Sequence, residues 1–296
     1  MKVANICIDD WANFMFQQHE ALLSVGVDSI ALKVNKHPFN YEKEATIILP
    51  SGIAEAIKDC THVIIYHSDT HLRLFTHAWQ KTTIYHTGTR FRSLVRTILA
   101  DSEGCSHLIA LPEFRKHINA PYIVGAVDTN NLHCGKEISK PFVVSHYPSN
   151  PGVKGSDLII EALSGLPNFI YSLERVGYKD HLQRLKLCDI YIELFAPTQG
   201  GNEYGSFGMT ALEASAMGKI VLTQNITGKD LYKETYGESP LIFIDSLDDL
   251  KQKVNVLLSK SNAEITELSV NFAEWVHDIH GYKSTGSRLH KFLHEL

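Results

Sequence analysis

The stretch that decides the fold is "GGNEYGSFGMTALEASAMGK", Gly200–Lys219. Its first half is crowded with glycine. Its second half is a helix-forming run with one carboxylate, Glu213, inside it. "DIYIELF" (189–195) before it and "KIVLTQ" (219–224) after it read as strands. The order is therefore strand, Gly-rich loop, helix from about Met209, strand. A helix start fed by such a loop offers free backbone N–H groups. With the helix dipole, these suit an anion such as a phosphate. Gly205 and Gly208 allow a close backbone approach. Glu213 is placed to accept hydrogen bonds from a pair of hydroxyls, as on a ribose. The plainer reading is a Gly-rich loop whose Glu only complements the dipole.

Working outward, the same alternation fills the chain. "KVANICI" (2–8), "DSIALKV" (28–34), "THVIIYH" (61–67), "TTIYHTG" (82–88), "SHLIAL" (106–111) and "PYIVGAV" (121–127) read as strands, and "FMFQQHEALLSVG" (14–26) as a helix ended by Gly26. The strands are β-branched and nearly continuous, as parallel strands covered on both faces should be. A polar, turn-rich segment, "DTNNLHCGKEISK" (128–140), reads as a linker. The alternation restarts with "PFVVSHY" (141–147), "NFIYSLER" (168–175), and the strands around Gly200–Lys219, and ends with "LIFIDS" (241–246) and helical sequence from about Leu247. The class is α/β: two doubly wound, Rossmann-like domains facing across a cleft, at 1–135 and 140–275, with a C-terminal helix at 276–296. In such sheets ligands sit outside the C-terminal strand ends, so motifs there carry most weight.

A second motif lies at such an end. In "SHYPSNPGVKGSDLIIEAL" (145–163) a strand stops at His146–Tyr147, and "KGSD" opens a helix. Lys154 is placed to reach a phosphate as a point charge, and Ser156 or Asp157 to cap the helix. The plain alternative for Lys154 is a solvated loop lysine.

Together these stretches resemble the nucleotide-binding domain of GT-B glycosyltransferases, most of all the large retaining group called family 4. His-x-Pro-Ser followed by Lys-Gly-Ser-Asp (146–157) carries the resemblance, with "YGSFGMTALEASAMGKIVLT" (204–223) and the intervening "LKLCDIYIELF". It is good over roughly 140–225. The resemblance implies a nucleoside diphosphate sugar donor, UDP-linked in the first instance, used without a metal or other cofactor. Lys154 would neutralise the diphosphate, and His146 would stand at the strand end beside it. Gly205, Ser206, Phe207, Gly208 and Met209 would hold phosphate and sugar, and Glu213 the ribose. The family's other glutamate falls on Gly205, so either Glu203, two residues earlier, takes its catalytic role, or the sugar hydroxyls are held by backbone and other groups.

In the N-terminal half, "IYHTGTRFR" (84–92) resembles the family's H-G-x-x-x-R segment. It implies a catalytic His86 near the transferred sugar and Arg90 beside it, in a unit that binds the acceptor hydroxyl. "IDDWANF" (8–14) follows the first strand and should also face the cleft, with Asp10 and Trp11 as acceptor contacts; Trp11 reads equally well as a packed loop anchor.

Composition narrows the classes. Of 296 residues, 44% are hydrophobic and 21% charged, a globular balance. The net charge of −5 disfavours a nucleic-acid acceptor, which needs Lys and Arg, although Arg90, Arg92, Arg96, Arg115 and Lys116 leave a local basic face open. The five Cys are widely spaced without CxxC, which points to reduced thiols in a cytoplasm. No apolar run has the length of a membrane span. "HSDTH" (67–71) offers His67, Asp69 and His71, with His62 and His77 near, but lacks the spacing of a closed zinc site. No dinucleotide-type Gly pattern follows the first strand, against a nicotinamide enzyme. The rival function is a nucleotide-sugar-binding protein without transfer; the second is transfer to a nucleic-acid base.

Overall fold

The structure is a computed structural model that describes residues 1–296 apart from 133–137, 200–201 and 206; for 199, 202 and 203 it describes the backbone only. The chain forms two compact units, Met1–Asp128 with His280–Leu296, and Thr129–Ile279.

The first unit holds β1 (Lys2–Cys7), β2 (Asp28–Lys33), β3 (Thr46–Ile47), β4 (His62–Ile65), β5 (Lys81–His86) and β6 (Ser106–Ile109) in one sheet. The order is β3-β2-β1-β4-β5-β6 and every pairing is parallel. The order reverses between β1 and β4, so their C-terminal ends mark the switch point. Helices α1 (Phe14–Ser24), α2 (Pro50–Ile57) and α3 (Gly88–Asp101) provide crossovers. Ile53 and Ile57 of α2 pack with Ala4, Ile6, Val63, Ile65 and Ile84, which are buried strand residues of one face. Alternation along β1 turns Asn5 to the other face, where Tyr66 Oη donates to it at 2.9 Å and it donates to Ser29 Oγ at 2.8 Å.

The second unit holds β7 (Val144–His146), β8 (Phe169–Tyr171), β9 (Ile190–Ile192), a hairpin of β10 (Thr198–Gln199) and β11 (Asn202–Glu203), β12 (Ile220–Gln224) and β13 (Ile242–Ile244). The main sheet runs β13-β12-β9-β7-β8, all parallel, with its switch point between β7 and β9. Its helices are α4 (Pro151–Lys154), α5 (Ser156–Leu163), α6 (Tyr178–Leu187), α7 (Met209–Ala216), α8 (Lys229–Tyr236), α9 (Leu247–Ser259) and α10 (Asn262–Trp275). The central strands β7, β9 and β12 are wholly buried, and β8 at the edge is largely exposed. A π-helical turn, Val276–His280, then leads to α11 (Tyr282–Glu295) of the first unit. There α11 lies against α1, and Tyr282 Oη donates to Gln17 at 2.5 Å.

One strand expectation fails. "PYIVGAV" (121–127) makes only two isolated bridges, Ile109 with Tyr122 and Val127 with Gly281. Its carbonyls are taken by side chains instead. Tyr85 Oη donates to Ile123 O at 2.5 Å, Gln18 Nε2 to Val124 O at 3.1 Å, and His280 Nδ1 to Gly125 O at 3.0 Å. Residues 122–127 are buried, and the carbonyls that these side chains claim are lost to a strand ladder.

Candidate functional site

In the second unit the switch point gathers the polar residues. Lys154 is the last residue of α4, whose N-terminus is capped by Asn150. It is not a solvated lysine: its ammonium pairs with Glu193, which follows β9. Lys154 is 12% exposed at its side chain and Glu193 0%. Glu193 Oε1 also accepts the backbone N–H of Gly208 at 3.1 Å, while its Oε2 is buried without a partner among the described residues. Burial acts to lower the Lys154 pKa, but Glu193 and Tyr204 outweigh it and the net movement is upward. The lysine is thus held as a cation.

Gly208 is the N-cap of α7 and has no side chain to cap it. A Cβ there would lie 2.8 Å from Glu193 Oε1 and 3.1 Å from Lys154 Nζ. Glycine lets the helix start sit directly on the ion pair. An ammonium and uncapped N–H groups in one place make an anion site. Gly205 is tighter still. A Cβ would lie 2.5 Å from Thr227 N and 3.0 Å from Ile226 Cα. The position that carries a glutamate in the resembled family has no room here for any side chain.

The loop is pinned at both ends. Phe207 points its ring edge at Tyr232 (5.8 Å) and Trp275 (6.1 Å), and Trp275 Nε1 donates to Tyr232 Oη at 2.9 Å. Its side chain anchors the loop. Gln224, at the end of β12, accepts from Ala196 N at 2.6 Å and donates to Tyr204 O, tying the two ends of the hairpin excursion. Met209 opens α7 half-buried. Ser206 and the Glu203 side chain lie outside the described residues; the Glu203 backbone sits in β11.

Glu213 is buried in α7 and accepts from Tyr178 Oη of α6 at 2.9 Å. Burial, opposed by that hydrogen bond and aided by Glu193, pushes its pKa up to about 8. It holds a proton at neutral pH and can both donate and accept. His146 is fully buried, with Nδ1 2.8 Å from Ile192 O and Nε2 2.8 Å from Ser156 Oγ. Burial lowers its pKa to about 4. A neutral ring with Nδ1–H donating to the carbonyl fits both contacts, and it splices β7 to β9 and to α5. Ser156 serves this splice rather than a cap, since α5 has Gly155 at its N-cap. His181 of α6 has a buried Nε2 without a partner, and burial lowers its pKa to about 4.

In the first unit the switch point is built otherwise. Asp10 is buried and caps α1: Oδ1 accepts Met15 N at 2.7 Å and Oδ2 accepts Phe16 N at 3.0 Å. His67 stands 3.4 Å from Asp10 through Nε2 and 2.6 Å from Thr87 Oγ1 through Nδ1. Asp69 accepts Ile8 N at 2.9 Å. Ala12, Asn13, His67 and Ser68 have φ of 55–59°, a left-handed conformation costing roughly 1–2 kcal/mol each outside glycine. These hydrogen bonds hold the strained turns in place. His86 is fully buried, with Nδ1 3.0 Å from Ser68 Oγ and Nε2 2.9 Å from His107 Nδ1. Burial and His107 lower its pKa to about 3. Arg90 donates to Ser68 O at 3.3 Å and lies 3.8 Å from Asp69, with its side chain 45% exposed. Trp11 is 60% exposed and meets His37 edge-on at 6.1 Å.

Of "HSDTH", only His67 joins a group of metal-ligating atoms, with Cys7 and Asp10, all within 4.8 Å. Three donors, one of them a carboxylate already engaged by α1, fall short of a closed four-ligand zinc set. Among the described cysteines, Cys7, Cys60 and Cys188 are buried and Cys105 is partly exposed, all as free thiols; Cys134 lies outside the described residues. No helix among the described residues is long and apolar enough to cross a membrane.

Sequence reading did not single out Glu193, Tyr178 or Gln224. For Glu193 a signal was present. "DIYIELF" carries an acid where a covered parallel strand should end apolar.

No protein-family profile matches the sequence, and no curated protein matches it. Solved structures do match, over the whole length. HepE from Anabaena in complex with UDP-glucose has a TM-score of 0.74 at 11% identity, covering 100% of both chains. Sucrose-phosphate synthase from Thermosynechococcus elongatus has 0.69 at 10% identity, covering 100% of this chain and 99% of the other. A glycosyltransferase from Rickettsia africae has 0.65 at 16% identity, covering 99% and 98%. The two parallel-sheet α/β units are those of the GT-B fold.

Proposed function

We propose that the protein is a glycosyltransferase that moves a sugar from a nucleoside diphosphate sugar to an acceptor hydroxyl. One observation carries this reading. A half-buried lysine, Lys154, lies against the start of α7, which has no side-chain cap, at the switch point of the second sheet. Breaking the bond from sugar to diphosphate puts negative charge on the leaving group. An ammonium and a helix start fixed beforehand stabilise that charge without reorganising. Glu213, protonated at neutral pH, can donate to one ribose hydroxyl and accept from the other. The first unit is the acceptor side in this reading, with the exposed Trp11 and Arg90 as its contacts. His86, with both ring nitrogens engaged, supports the end of β5. The family resemblance makes the transfer retaining.

HepE was solved with UDP-glucose, so UDP-glucose heads the panel of nucleotide sugars to be tried. The expected result is a rise in melting temperature with one donor, with slow donor hydrolysis or transfer to a supplied acceptor. A panel in which none raises it removes the donor assignment. The second reading, binding without transfer, is favoured by the closed space at Gly205. Stabilisation with neither hydrolysis nor transfer to any acceptor selects it. Transfer to a nucleic-acid base gains little, because Arg92 is paired with Glu113 at 2.5 Å and Arg115 donates to Ala120 O at 2.5 Å.

A further inference from the structure

Glu193 is closed to solvent and half-satisfied. Oε1 accepts from Lys154 and from Gly208 N–H; Oε2 has no partner among the described residues. The titratable groups that face it come from every surrounding element. They are His146 from β7, His181 from α6, Glu213 from α7, Tyr191 from its own strand, and Lys154 from α4. Burial keeps both histidines neutral, and Glu213 repels Glu193 when ionised. Among the described residues Lys154 alone forms an ion pair with Glu193.

A diphosphate at the start of α7 competes for that lysine, whose Nζ lies against Gly208. Once Lys154 turns to the phosphates, Glu193 keeps a charge in a place closed to solvent, with no second ion-pair partner among the described residues. An uncompensated buried carboxylate is costly, and such a group takes a proton instead. We infer that Glu193 is a proton-accepting counter-charge for Lys154: it positions the ammonium before donor binds, and it takes up one proton from solvent when the diphosphate draws the ammonium away. The inference rests on the donor-site reading above. The balance is one proton in on binding and one out on release, with no covalent bond changed. By linkage the affinity for the diphosphate falls as pH rises, by up to about tenfold per pH unit.

The test is calorimetric titration of the full chain with UDP at pH 7, in buffers of different ionisation enthalpy. The slope of the observed heat against buffer enthalpy counts protons. The inference expects the wild type to take up about one proton more per UDP than Glu193→Gln. Glu213→Gln, which removes the other titrating carboxyl, should keep the uptake. Equal proton numbers in wild type and Glu193→Gln overturn the inference, as does uptake lost in Glu213→Gln and kept in Glu193→Gln. Should Glu193→Gln not fold, the wild-type slope decides against that of Glu213→Gln alone: uptake in both supports the inference, and uptake in neither overturns it. If wild type binds no nucleoside diphosphate, the donor-site reading fails and this inference with it. Binding without proton uptake sinks this inference and leaves that reading standing.

Discussion

The two switch points are made of similar residues and behave differently. In the first unit Asp10 meets His67 and two N–H groups of α1, Asp69 meets Ile8 N, and His86 meets Ser68 and His107. Both units hold buried polar atoms without a partner among the described residues, Asn13 Oδ1 in the first and Glu193 Oε2 and His181 Nε2 in the second, but only in the second does one belong to a carboxylate that faces an ammonium and a helix start with no side-chain cap. Buried polar groups normally find partners, and in the proposed function the donor is what completes the strand end at Glu193. In the proposed function the first cluster holds buried turns in place, and the second receives the donor's charge.

This contrast can be broken by experiment. The largest effect expected is Asp10→Ala, which strips two N–H groups of α1 and a partner of His67. A loss of about 2–4 kcal/mol in urea unfolding is expected, with UDP affinity unmoved. A weakened UDP affinity instead would show that the first cluster is not merely supportive. Glu213→Ala should act on affinity instead, costing about 1–3 kcal/mol of UDP binding by calorimetry for two neutral hydrogen bonds to the ribose; unchanged affinity ends the ribose assignment. The same residue carries a pH signature. Its folded pKa is raised, so its contribution is full below the unfolded value near 4.3 and lost as pH rises to about 8. Wild type should therefore lose more stability than Glu213→Gln between those limits. Gly205→Ala sharpens the contrast within the loop: about 1–3 kcal/mol lost from overpacking against Ile226 and Thr227, read as a lowered melting temperature. Smallest is Trp11→Ala, within about 0.5 kcal/mol of wild-type stability, because its ring is mostly exposed.

How much of this was legible beforehand follows from what sequence encodes. Buried parallel strands announce themselves by β-branched runs, and β1, β4, β5 and β12 lie where such runs stand. Helix α7 begins at Met209, as the change from glycine to helix formers indicates. The failure at 121–127 has a clear physics. The composition is that of a strand, but Gln18, Tyr85 and His280, distant in sequence, claim its carbonyls. Local pattern carries no record of such partners. The site divides in the same way. Lys154, Glu213 and the glycines stand in a recognisable spacing. The pairing of Lys154 with Glu193 depends on α4 and β9 coming together across 39 positions. Single residues were readable, and their electrostatic state was not.

The closed space at Gly205 also limits what can be reached by changing one codon. Placing a glutamate there requires Asn225–Thr227 to retreat first, since even a methyl group meets their backbone. A library built to restore the resembled family's carboxylate should therefore vary 225–227 together with 205. Taken singly, neither set of changes opens a path to the other.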